Sequence, residues 1–549
     1  MSTPETPRPA EPVADAGVEA AGGAPEGVTT AAETPADAVP STRHLRWILA
    51  ALMLTLLLAA LDQTIVSTAL PTITSDLGGL NHLSWVVTAY LLASTASTPI
   101  WGKISDLYGR KLMLQSAVVV FVLASALAGL SQTMGQLIAT RALQGLGGGG
   151  IMVLVMAVIA DLIPPRERGR YAGLFGAVFG LASIVGPLLG GFFTEQLSWR
   201  WIFFVNLPLG IAAFAVLGAV LHLPRHYEKH RIDWAGAALL VAGVTALLLV
   251  TVWGGQEYAW DSPEIIGLAV GGVAMLVLFV WQETRAAEPM VSMALFRDKV
   301  FTVSSGIGFV VGFAMFGSIV YLSIYLQVVY GSTPTEAGLQ LLPLMGGMLV
   351  TSIGSGLLIT RFGRYKVFPI VGTVLATVAL LLFSRLGADT PYWQIALAML
   401  VLGTGLGNVM QVLVLAVQNS VPQREIGAAT SASTFFRSIG GSFGTAVFGA
   451  VWAGRLAAEM TAAFPGGGLP AGGDATTSLE TIHSLPPAIQ EQVLGAFANA
   501  IDTTFLVAVP VMVAAVVLSF FLPEVPLRTT HSIEEMVADD AAVPLPVPD

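Results

Sequence analysis

Apolar segments long enough to cross a bilayer recur from residue 47 to residue 522, and they constrain this chain more than anything else in it. A hydrocarbon core of ~30 Å takes about twenty helical residues at a rise of ~1.5 Å each. Such segments lie near 47–70, 84–102, 112–130, 135–160, 171–193, 201–223, 235–253, 264–281, 302–327, 338–359, 367–384, 393–417, 427–451 and 504–522, which makes fourteen expected spans. Only 11% of residues are charged and 54% are hydrophobic, against about 25% charged in a soluble domain. A transmembrane barrel would instead show alternating segments of ~10 residues. The fold class is therefore an all-α polytopic membrane protein.

Composition also excludes several chemistries. The chain has no cysteine, which removes disulfides, thiolate catalysis and cysteine metal sites. It has no GxxxxGK[ST] loop and no metal-spaced histidine cluster, so neither an enzyme nor an ATP-driven machine is expected, and no metal site. The net charge of -10 sits largely in the tails and outer loops and points to no nucleic-acid partner.

Residues 1–42, rich in Pro, Ala, Gly and Glu, read as a disordered acidic tail. They lack the basic start and apolar core of a cleavable signal, so the first helix is expected to remain as the first span. Basic residues crowd one side: Lys103, Arg110 and Lys111, then Arg166, Arg168 and Arg170, then Arg361, Arg364 and Lys366; Arg200, Arg385 and Arg455 fall on the other. By the positive-inside rule both termini are expected in the cytoplasm, with the chain in the cytoplasmic (inner or plasma) membrane. The long outer loop, 452–503, ends in PPAIQEQVLGAFANAID, which reads as a short amphipathic helix on the outer face.

The basic loops carry an internal repeat. Gly102, Gly109 and Arg110 recur at the same offsets as Gly356, Gly363 and Arg364. Pro164, Arg166, Glu167 and Gly169 recur as Pro422, Arg424, Glu425 and Gly427. Both pairs lie on one side, so the halves are parallel copies. The expected organisation is a six-helix bundle over 43–224, an inserted two-helix hairpin with its flanks over 225–300, a second six-helix bundle over 301–525, and a cytoplasmic tail over 526–549. Parallel six-helix halves bind substrate near the midplane between them.

Ionisable groups inside spans are functional candidates. Asp62 lies roughly 12 Å below the outer end of the first span by helix rise, and it is read as the only acid well inside a span. Burial would raise its pKa and a nearby cation would lower it. The alternative is a fixed structural ion pair. Arg141, at matching depth in the fourth span, is its expected partner, and Gln144 one turn on can hydrogen-bond either group. Arg437 has no evident acidic partner at its depth and is assigned to a polar contact or cavity lining. Gln340, Asn408 and Gln411 are candidate cavity residues, with interhelical bonding as the alternative. Phe316 and Tyr325, among many aromatic and Met residues, suit a plastic apolar pocket or plain packing.

The loop carrying Gly102, Asp106, Gly109, Arg110 and Lys111 is a candidate gate. Asp106 can pair with Arg110, Lys111 or a helix terminus of the other half. The plain alternative is a solvated loop that sets topology. Thr360 replaces the acid in the second copy, so the latch is expected on one half only.

Several stretches, in order, resemble the fourteen-span drug:proton antiporter group of the major facilitator superfamily. They are LDQTIVSTALPTI (61–73, with Ser67 where Asn is usual), GKISDLYGRK (102–111, with Leu107 where a basic residue is frequent), RALQGLGGGG (141–150), GLASIVGPLLGG (180–191) and SWRWIFFVNLPLG (198–210). The resemblance implies the major facilitator fold and export of lipophilic, cationic drugs or antibiotics against inward proton movement, with protons as coupling ion and no other cofactor. Export of an endogenous lipid or secondary metabolite on the same scaffold is the alternative. Such a protein would work in the bilayer as a monomer. In the resembling fifth-helix motif, Gly180, Gly186, Pro187, Gly190 and Gly191 imply a tight, bendable contact between the halves, as do Gly147 to Gly150 in the fourth.

Overall fold

The computed structural model describes residues 42–77, 83–221, 233–255, 257–286, 289, 291–422, 425–464 and 486–528. The acidic tail up to residue 41, the middle of the long outer loop, Arg424 and the chain beyond residue 528 lie outside them.

Helices occupy every expected span. They are α1 (Thr42–Leu77), α2 (Leu83–Tyr108), α3 (Arg110–Gly129), α4 (Met134–Leu162), α5 (Pro165–Gln196), α6 (Trp201–Phe204) with α7 (Asn206–Val220), α8 (Trp234–Trp253) and α9 (Pro263–Glu283). After these come α10 (Lys299–Ile324), α11 (Pro334–Gln340), α12 (Leu342–Phe362), α13 (Val367–Phe383), α14 (Tyr392–Ser420), α15 (Ile426–Ala463) and α16 (Pro487–Phe521). Ten helical stretches of the described residues are long and apolar enough to cross a membrane by length and composition. The amphipathic outer helix expected near 487–503 is corrected: it is the first half of α16, continuous with the last span. The cause is compositional, since PPAIQEQV carries good helix formers and no breaker separates it from the apolar run.

The two halves use one packing scheme twice. In the first, α2 and α3 pack on α4, α1 packs on α5, and α7 packs on α1 and α3. In the second, α12 and α13 pack on α14, α10 packs on α15, and α16 packs on α10 and α13. Small residues make the scheme possible. A Cβ on Gly145 or Gly149 of α4 would lie 2.3 Å from a carbonyl oxygen of α2, and one on Gly403 of α14 would lie 2.0 Å from Leu344 O of α12. Bulk at these points would push the helices apart.

Between the halves, α5 packs against α12 and α2 against α15. The hairpin α8–α9 is not a separate body: α8 lies against both α2 and α15, with Trp85 and Trp253 edge to face at 5.7 Å. The repeated loop glycines have a backbone reason. Gly109 and Gly363 both adopt positive φ, 94° and 71°, where an L side chain is strained.

Candidate functional site

Asp62 is fully buried within the first half. Its Oδ2 accepts a 2.6 Å bond from the Arg141 guanidinium. Its Oδ1 accepts from the Gln144 amide and the Asn206 amide, each at 2.8 Å. Arg141 donates further to Gln144 Oε1 at 2.7 Å and Val86 O at 3.2 Å, and its guanidinium stacks 4.5 Å from the Tyr90 ring. The Asn206 amide also donates to Ser125 Oγ at 3.0 Å, whose hydroxyl donates to Phe203 O at 2.9 Å.

Three helices, α1, α4 and α7, thus meet at one carboxylate, with α2, α3 and α6 supporting its donors. The glycines of α4 let α2 come close enough to set Tyr90 over Arg141. A charge pair taken wholly out of water persists only with this degree of hydrogen bonding. The sequence-predicted trio of Asp62, Arg141 and Gln144 is brought together, and Asn206 is the member that sequence reasoning missed. Its signal was available: one amide in the apolar run WIFFVNLPLG.

The second constellation closes the end of the bundle that carries the basic loops. Asp106 of α2 accepts from the backbone N–H groups of Gly427 at 3.2 Å and Ala428 at 2.8 Å, in the first turn of α15 in the other half. An acid at a helix N-terminus satisfies orphan donors and meets the positive end of the dipole. Asp106 also pairs with Arg110, which bonds Asp161 at 2.8 Å. Lys111 takes no part; it donates to Gly218 O at 2.8 Å. Gly102 sits at the α2–α15 crossing, where a Cβ would lie 2.2 Å from Ser431 Oγ. Sequence reasoning missed a second link between halves: Arg168 of α5 donates to Gln418 of α14 at 3.0 Å, and to Ile163 O and Ala160 O. A cavity of about 40 Å³ lies beside it, lined by Arg168, Ser352, Gln411 and Gln418 among others.

At the opposite end of the bundle Asp76 takes the Trp199 indole N–H at 2.8 Å and Arg200 at 3.1 Å. Those two donors hold its carboxyl below the usual range.

Other expectations need correction. Gly186 does not face the other half: its Cβ would lie 2.1 Å from Thr64 Oγ1 of α1, two residues from Asp62, and Thr64 bonds Ala182 O at 2.9 Å. A Cβ at Gly180 or Gly191 would meet nothing within 4 Å. Gly190 is buried in α5, with its carbonyl accepting from Thr194 at 2.8 Å. The side chain of Pro187 lies outside the described set, though α5 continues through it. Gly147 and Gly150 pack on α3, again inside the first half. The inter-half contact of α5 runs to α12 without using Gly186.

Asp62 is also not the only acid inside a helix of spanning length. Asp502 lies in α16, and its Oδ1 is buried without a hydrogen bond among the described residues. The expected span, 504–522, leaves it out by two residues. Of the cavity candidates, Tyr325 is fully buried and donates to Gly387 O at 2.9 Å, Gln340 accepts from Ser332 at 2.8 Å, and Asn408 donates to Thr404 O at 2.8 Å. These three are engaged in packing. Phe316 touches Gly441 across the α10–α15 contact, and Gln411 does line the cavity between halves.

The chain matches the Major Facilitator Superfamily over residues 52–445. It is 44% identical over 497 residues to the uncharacterized MFS-type transporter Rv1877 of Mycobacterium tuberculosis, covering 90% of this chain and 72% of that one. It is 40% identical over 410 residues to the multidrug transporter protein MdtP of Bacillus subtilis, covering 75% and 76%. A double Trp mutant of XylE superposes with a TM-score of 0.59 over 90% of this chain and 99% of that one, at 14% identity, and so shares the fold. The chain belongs to the Major Facilitator Superfamily. It is a multi-pass membrane transporter, not an enzyme.

Proposed function

We propose that the protein is a proton-coupled exporter of lipophilic drug-like molecules, an antiporter working by alternating access. It sits in the cytoplasmic membrane with both termini and the basic loops in the cytoplasm. The names of two relatives, multidrug transporter protein MdtP and multidrug resistance protein 3 of Bacillus subtilis, support export of varied compounds. The observation that carries proton coupling is the cage around Asp62.

Both carboxylate oxygens are taken, Oδ2 by Arg141 and Oδ1 by Gln144 and Asn206. A proton on Oδ2 removes the charge that holds Arg141 and so weakens that bond. Arg141 also bonds α2 at Val86 O, so its release loosens α1 from α4 and α2 together. Helix α2 carries Asp106, which holds the N-terminus of α15. Proton arrival at Asp62 and release of the cytoplasmic latch thus act on one helix. This is the differential interaction that a two-state transporter requires.

The decisive measurement is proton-driven uptake of a dye into inverted vesicles. The wild type should accumulate dye and lose it with an uncoupler. Asp62→Asn should retain insertion and lose the proton-driven component; undiminished antiport in that variant would overturn the reading.

A further inference from the structure

The second half also holds a charge at span depth, and no described residue answers it. Arg437 of α15 has no ion pair or hydrogen bond from its guanidinium among the described residues, and no ionisable neighbour there. An unpaired cation so placed costs several kcal/mol. A sequence keeps such a group only where something else supplies the counter-charge.

Its surroundings say what kind of thing. Arg437 lines a cavity of about 10 Å³ with Val311 of α10, Val409, Met410 and Leu413 of α14, and Ser433 one turn back on α15. The wall is apolar apart from Ser433 and the guanidinium. Thr434, three residues before Arg437 and so on the same side of the helix, carries a buried hydroxyl without a partner among the described residues. The mount is rigid. A Cβ on Gly312 would lie 2.2 Å from Arg437 O, so α10 clamps the backbone at this residue. Val414 borders this cavity and also the 40 Å³ cavity between the halves. The cation therefore stands one residue from the surface where the halves meet.

By contrast, Asp62 offers no free oxygen. The acid that suggested a cationic cargo is used up by its own half, and Asp502 stands at the outer edge of its apolar run, away from the Arg437 cavity. We propose that Arg437 is a substrate-recognition residue, and that the exporter takes lipophilic molecules bearing an acidic group, a carboxylate or sulfonate that the guanidinium fork binds. This rests on the exporter reading above and adds the charge of the cargo.

The test uses the full chain in phosphatidylcholine proteoliposomes with an imposed proton gradient. The probes are 8-anilinonaphthalene-1-sulfonate as lipophilic anion and ethidium as lipophilic cation. The wild type should move the anion in an uncoupler-sensitive way. Arg437→Gln should raise KM for the anion about tenfold, with KM for ethidium, where it is carried, unchanged. Arg437→Lys, which keeps charge but not the fork, should fall between.

An unchanged KM for the anion, or an equal loss for both probes in folded protein, overturns the assignment. So does a difference between variants that appears only when anionic phosphatidylglycerol is added, which would make a lipid headgroup the partner. Proton-driven transport of ethidium alone would sink this inference and leave the exporter reading standing. Failure of every probe to respond to the gradient would sink the exporter reading itself.

Discussion

The two halves share a packing scheme but distribute charge in opposite ways. The offset that matches Pro164 to Pro422 also matches Arg141 to Met399 and Gln144 to Leu402, both buried and apolar. The same offset matches Arg437 to Phe179. Where the first half encloses a carboxylate with both oxygens hydrogen-bonded, the second has a hydrophobic core. Where the second half carries a bare cation, the first has a phenyl ring. On the roles proposed above, the two halves would divide their labour on one scaffold. A fully paired buried charge suits an internal switch, because it changes only when a proton enters. An unpaired charge suits recognition, because its partner comes and goes.

The largest expected effect breaks the cage from one side. Arg141→Met strands the Asp62 carboxylate and should destabilise the detergent-solubilised protein by about 3–5 kcal/mol, the range for removing one partner of a buried pair. Thermal unfolding checks it. The double variant Asp62→Leu with Arg141→Met should recover much of that stability while remaining inactive. A double variant no more stable than the single one would deny that the pair is the reason.

Next in size is the latch. Asp106→Asn removes the charge facing the α15 N-terminus, a contact of about 0.3–2 kcal/mol. Turnover should fall severalfold with substrate affinity near normal. The chain has no cysteine, so a pair introduced across α2 and α15 gives a clean cross-linking readout, and crosslinking should drop. Loss of membrane insertion would favour a purely topological loop.

Smaller still is Arg437→Met. It removes an unanswered charge and leaves no partner behind, so stability should hold or rise by about 1 kcal/mol, in contrast with the loss at Arg141→Met. A cost equal to that of Arg141→Met would erase the contrast between the halves. Least of all is Asp76→Asn at the far end of the bundle, where half the side chain is exposed. Because Trp199 and Arg200 lower the Asp76 pKa, this pair is present at neutral pH and is lost only as pH falls through that lowered value. Thermal midpoint and transport near pH 7 should both stay within error of the wild type.

Much of the fold and part of the site are legible in the order of residues alone. Span positions follow from hydrophobic run length, because a bilayer tolerates no unsatisfied backbone. Asp62 and Arg141 stand out because charge within such runs is rare, and counting residues from the outer end sets them at one depth. What the sequence hides are partners chosen by geometry. Asn206 and Gln418 are ordinary amides until folding puts them against Asp62 and Arg168. Gly186 sits in a motif whose resemblance points between the halves, yet its bare face turns to Thr64. Asp502 is lost to a boundary drawn at the hydropathy edge, though the helix begins at Pro487, fifteen residues before Asp502.

By itself, then, the sequence determined a helical membrane protein of two parallel repeats, because run length, basic loops and repeated glycines act locally and can be read one segment at a time. The tertiary structure alone decided which charges are spent and which are free. That depends on how helices far apart in the chain rotate against one another, and a rotation of one residue on α1 or α15 would turn a caged acid or an open cation to a different neighbour.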